Sequence, residues 1–76
     1  MSHSEAQAKV CDFADYIIRV RNYKRYYPSQ REGQVYMNVL FAMRGDLYNR
    51  ITGTTYDPFY DDDKVPMFLT FLGGLW

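Results

Sequence analysis

The sequence predicts an all-α fold, an antiparallel two-helix hairpin closed by one or two short C-terminal helices. Three observations lead there. Apolar residues recur at steps of three and four along two long stretches, the spacing of one face of a helix. The stretches meet at a single break, Tyr27-Pro28, where proline forces the preceding residue out of the helical region. Strand-like alternation is weak throughout, and no hairpin dipeptide separates two β-rich runs.

The first helix opens on Ser4 with Gln7, a capping-box pair in which each side chain serves the other's backbone amide. Ala6, Val10, Phe13, Ile17 and Val20 make its apolar stripe, widened by Ala14 and Ile18, over about 18 to 20 residues ending by Tyr26. Lys9, Asp12, Asp15 and Arg19 take the opposite face, with Lys24 as a further candidate. Ser29 with Glu32 is a second capping box, and Val35, Tyr36, Val39, Leu40 and Met43 carry a helix from about Gln30 to Arg44. So short a connection makes the two helices antiparallel neighbours. Gly45 ends or kinks the second helix, Asp46 caps a short third one, "LYNRI", and Gly53 stops it.

"TTYDPFYDDDKVP" reads as a loop, with Asp57 before Pro58 as one helix start and Asp61 to Asp63 as the cap of a final helix. Pro66 fits in that helix's first turn, where a missing amide proton costs nothing. Val65, Phe68, Leu69 and Leu72 form its buried side, Gly73 and Gly74 end it, and Trp76 folds back as a lid over the core.

Residues 1–76 make a single small helical domain, because a chain of this length buries only about 60% of the surface it exposes when unfolded. Aromatic residues, 18% of the chain and including eight tyrosines, compensate with large apolar area per ordered residue. Many of these tyrosines are expected at the core boundary, with hydroxyls reaching water. One cysteine, Cys11, rules out an internal disulfide and suits a reducing compartment. It is expected as a small buried hydrophobe, with a reactive thiol as the lesser reading. Together with His3 it supplies too few ligands for zinc. The first ten residues lack the basic start and apolar core of a secretory leader, and no apolar run approaches the ~20 residues of a membrane span. The expectation is a soluble protein without cofactor.

Net charge is zero, yet the charge is polarised. Arg19, Arg21, Lys24, Arg25 and Arg31 fall in a stretch without acids, whereas Asp57, Asp61, Asp62 and Asp63 fall in one without bases. The basic stretch, "RVRNYKRYYPSQR", admits three readings. Its charges suit the negative end of a helix dipole, which requires no function. Arg21, Tyr23, Lys24, Arg25, Tyr26 and Tyr27 suit a protein partner, since Tyr and Arg are favoured at binding hot spots. Arg19, Lys24, Arg25 and Arg31 suit the phosphates of a nucleic acid or nucleotide, with a tyrosine stacking a base. The aspartates read mainly as helix caps, or as a charge complement to the basic stretch within one molecule or across a symmetric dimer; they lack the ligand spacing of a calcium loop. The apolar C-terminal segment serves either as core or as an oligomer seam. No phosphate loop, metal-binding His pair or nucleophile elbow is present, so no enzyme is expected.

"REGQVYMNVL", "GDLYNRITGT" and "DPFYDDDKVPMF", in this order from Arg31 to Phe68, resemble a pattern found in small, mostly uncharacterised proteins of tailed bacteriophages and prophages. The segment before the "DLY" of those proteins often reads Arg-Pro; here it is Arg44-Gly45. The resemblance implies a phage accessory protein acting in the bacterial host cytoplasm. Its expected partner is then a host protein, such as a defence component, that it inhibits or redirects; a nucleic acid or nucleotide, or a second copy of the chain, are the alternative partners.

Overall fold

A computed structural model describes residues 12–76. The described residues are all-helical, with no strand: four α-helices arranged as helical hairpins. They are α1 (Phe13–Tyr26), α2 (Glu32–Met43), α3 (Gly45–Ile51) and α4 (Val65–Leu75), the last preceded by a single 3₁₀ turn, Asp62–Lys64. The capping pair Ser4 and Gln7, the stripe residues Ala6 and Val10, and Lys9, His3 and Cys11 lie outside the described residues.

α1 starts at Asp12, whose extended backbone cuts the expected helix of 18 to 20 residues to 14. The cap is reciprocal: Asp12 Oδ1 accepts from the Asp15 amide at 3.1 Å, and Asp15 Oδ2 accepts from the Asp12 amide at 3.4 Å. Asp12 is therefore a cap and not part of an exposed helix face. α1 ends at Tyr26, as the proline two residues on demands. Its buried stripe is Phe13, Tyr16, Ile17, Val20 and Tyr23, while Ala14 and Ile18, expected to widen it, face outward. Tyr16 displaces them because its ring is wholly buried and its hydroxyl donates to the Tyr36 carbonyl of α2 at 2.7 Å. A tyrosine can be core when a partner for its oxygen is built in.

α2 starts later than the sequence suggests. Ser29 and Glu32 do not cap it; instead Gln34 Oε1 accepts from the Arg31 amide at 3.1 Å. A second orphan amide, that of Gly33, donates at 2.9 Å to Asp62 Oδ1, a residue 29 positions along the chain. Val35, Met37, Val39 and Leu40 are buried, so α2 has core on two sides. Its end at Met43 comes from the non-helical backbone of Arg44 (φ −140°, ψ 76°), and Gly45 is the first residue of α3. Asp46 does not cap α3 with its side chain. Arg44 Nε and Nη2 donate to its two oxygens at 3.0 and 2.9 Å, and this fork holds the carboxyl at about 2, below its ordinary 3.8. Gly53 follows α3 with φ 81°, the left-handed conformation that only glycine adopts without strain.

Asp57 does not start a helix. Its carboxylate accepts from the Gly53 and Phe59 amides at 2.8 and 2.9 Å, closing the loop on itself and leaving Pro58 buried. Asp61 does cap, accepting from the Asp63 amide at 3.0 Å, and Pro66 sits in the first turn of α4 as expected. Gly73 and Gly74 do not stop α4, which continues to Leu75. Its end is held by Trp76, whose ring lies 5.8 Å from Phe13 and 5.3 Å from Tyr16, beneath the Arg44 guanidinium at 5.1 Å. Phe68 and Leu72 complete the core from the α4 side.

Candidate partner-binding surface

The second half of α1 carries the basic, tyrosine-rich stretch, and helix geometry divides it. Successive residues turn by about 100°, so Arg19 and Arg21 are roughly 200° apart around α1. Arg19, Tyr23 and Tyr26 face a groove of about 360 Å³ against α2, with Asn38, Val39, Ala42 and Met43 on its other wall. Arg21 and Lys24 face a different cleft, of about 460 Å³, together with Arg31, Glu32, Tyr36 and Asp62. Arg25 is exposed on the outside. The six residues expected to meet a partner therefore belong to more than one surface.

Several of the cations are already engaged. Lys24 Nζ donates to the carbonyls of Gln30 and, at 3.4 Å, Pro28, tying the end of α1 to the turn that follows. Arg31 donates to the Phe59 carbonyl and stands 3.8 Å from Asp62 Oδ1. One acidic residue thus docks on the basic stretch, at its last member, while Asp61 caps the 3₁₀ turn and Asp57 closes its own loop. Among the described residues no carboxylate lies within ion-pair distance of Arg19, Arg21 or Arg25. In the second cleft, burial and then the Glu32 carboxylate push the Tyr36 phenol above its ordinary ionisation range, and the Arg21 guanidinium opposes them.

What remains presented to solvent is an aromatic and arginine ridge at the end of α1. Tyr26 is 80% exposed and Tyr27 49%. The ridge is held from behind: the Tyr27 ring packs on Tyr23 at 4.7 Å, and the Tyr27 amide donates to the Tyr23 carbonyl at 3.0 Å. The groove beside it is the feature that sequence reading misses. Val39 and Met43 belong to the apolar repeat of α2, and nothing in that repeat marks them as bordering an opening. Ala42 is the available signal, a short side chain that leaves the wall low between its longer neighbours.

The C-terminal aromatics pack within the molecule: Phe68 is fully buried, Phe71 stacks on Tyr56 at 4.0 Å and Trp76 covers α1. Among the described residues no group of three His, Cys, Asp or Glu side chains is placed to hold a metal ion, and no helix is long and apolar enough to cross a membrane. Comparison of the chain with protein-family models, with curated proteins and with solved structures finds no match.

Proposed function

We propose that this protein is a small, non-catalytic binding module that docks on a bacterial host protein and inhibits or redirects it. The observation that supports the reading is the ridge formed by Arg25, Tyr26 and Tyr27. Large exposed rings on a helix end locked by the Lys24 and Tyr23 contacts lose little freedom on binding, which is the condition under which Tyr and Arg contribute most. The bacterial setting rests on the resemblance to small phage proteins. Docking of this kind blocks a host component by occupying its surface and requires no chemistry from the module.

A polyanion fits less well as the main partner. Arg19, Lys24, Arg25 and Arg31 would have to converge on one phosphate track, whereas Arg19 and Lys24 line different grooves and Arg31 is held by Asp62 and the Phe59 carbonyl. The test is a tagged pull-down from bacterial lysate, split into nuclease-treated and untreated halves and read by mass spectrometry. One dominant host protein is expected in both halves, and it is lost when Arg25, Tyr26 and Tyr27 are replaced by Ala with the helical circular dichroism unchanged. Recovery that disappears with nuclease would replace the proposal with the polyanion reading.

A further inference from the structure

The groove beside the ridge has a counterpart on the opposite side of the same molecule. Its lining carries one cation, Arg19, with no carboxylate in ion-pair range among the described residues, and its apolar lining comes from Tyr23 on one wall and Val39 and Met43 on the other. The matching shape is an apolar anchor with acidic flanks. Tyr60 is that anchor: it is 84% exposed at the tip of the turn closed by the Asp61 amide on the Pro58 carbonyl at 3.1 Å. Phe59 braces its ring edge-on at 4.9 Å, so the side chain is presented with few alternatives. Asp61 and Asp63 on its flank are exposed, whereas Asp62 turns inward to Gly33 and Arg31.

The knob cannot reach its own groove. Tyr60 shares a small cleft with Met37 of α2. Met37 precedes Ala42 by five residues, which puts the two about 140° apart around that helix. A second copy is required to bring knob and groove together. Because the two lie on different sides, the contact is heterologous, with each copy offering its knob to the next groove.

We propose that the protein self-associates head to tail, Tyr60 of one copy seating in the α1–α2 groove of the next, with Asp61 and Asp63 facing Arg19. The inference goes beyond host binding and is tested with purified protein alone, so that its failure leaves the host-binding reading standing. Two variants isolate the two halves. Ala42→Trp fills the groove from an exposed position, and Tyr60→Ala removes the knob from the most exposed ring; both are expected to keep wild-type helical circular dichroism. In sedimentation equilibrium over a dilution series, wild-type mass should rise with concentration, and each variant alone should associate at least about tenfold more weakly. Mixed, they retain one intact knob and one intact groove between them, so a 1:1 dimer should form and stop there. Wild-type protein that stays monomeric up to the concentrations used for NMR overturns the proposal. So does a dimer indifferent to both variants, or a mixture that does not pair. If both variants lose helical signal, Arg19→Glu against Asp63→Lys, which leaves the Asp61 cap in place, repeats the test through charge alone: each should be weakened and their mixture restored, and a mixture no stronger than its parts would again overturn it.

Discussion

Gly33 shows how one residue can be fixed by a contact far from it in sequence. A Cβ built there would stand 1.9 Å from the Pro58 carbonyl oxygen and 2.8 Å from its carbon, both backbone atoms with little room to give. Two effects then compete when Gly33 becomes Ala. Helix propensity favours Ala by up to about 1 kcal/mol. Overpacking costs about 1–3 kcal/mol, and here it also lifts Pro58 and Asp62 from the first turn of α2, where Asp62 satisfies the Gly33 amide. The second effect wins. Gly33→Ala should destabilise the fold by roughly 1–2 kcal/mol net in urea unfolding, once the propensity gain is set against the overpacking cost, the reverse of what α2 would do alone. An unchanged or raised midpoint would mean that the loop does not press on α2 as described.

At the scale of the elements, the break between α2 and α3 is set by the backbone of Arg44, not by a need for glycine at the next position. Arg44 is non-helical (φ −140°, ψ 76°), already outside the α region that a following proline disfavours, and Gly45 has neither a positive φ nor any atom within 4 Å of a built Cβ. Gly45 is the first residue of α3, where proline is pre-organised. Gly45→Pro should therefore stabilise the fold by about 0.4–1 kcal/mol by narrowing the unfolded ensemble, measured as a shift of the urea midpoint at constant slope. A loss of stability would mean that the Gly45 amide has a partner. The same distinction explains what could be read from the sequence. The end of α1 at Tyr26, the Asp61 cap and Pro66 in the first turn of α4 are decided within a few residues, so local chemistry exposes them. The burial of Tyr16 depends on a carbonyl 20 residues away, and the Gly33 amide in the first turn of α2 on a carboxylate 29 residues away. Neither leaves a periodic trace. Helix continuation through Gly73 and Gly74 is likewise secured from outside α4, by Trp76 packing on α1. The candidate surface follows the same pattern: the residue types of the ridge were visible, whereas the division of its cations between two grooves needed the position of α2.

For the molecule as a whole, the tyrosine-rich core should make stability fall on the alkaline side. The Tyr16 hydroxyl is buried and donates to the Tyr36 carbonyl, so its anion would lose both water and a hydrogen bond. Burial first, and then the neighbouring Tyr36 phenol, push its ionisation well above the ordinary 10.0. Tyr36 shifts in the same direction, chiefly through burial. Below pH ~10 both phenols are protonated in the folded and unfolded chains alike and contribute no pH dependence. Above it the unfolded chain releases protons that the folded one retains, and Tyr16 alone lowers stability by about 1.4 kcal/mol per pH unit. A domain this small has a stability of a few kcal/mol, so one to two units above pH ~10 should remove much of it. Tyr16→Phe separates the causes. It gives up the hydrogen bond, about 1 kcal/mol at neutral pH, and in exchange removes the titrating group, so the loss between neutral and strongly alkaline pH should be shallower than in the wild type. Urea midpoints measured across that interval decide the matter: parallel losses in the two proteins would place the alkaline sensitivity elsewhere than the core phenol.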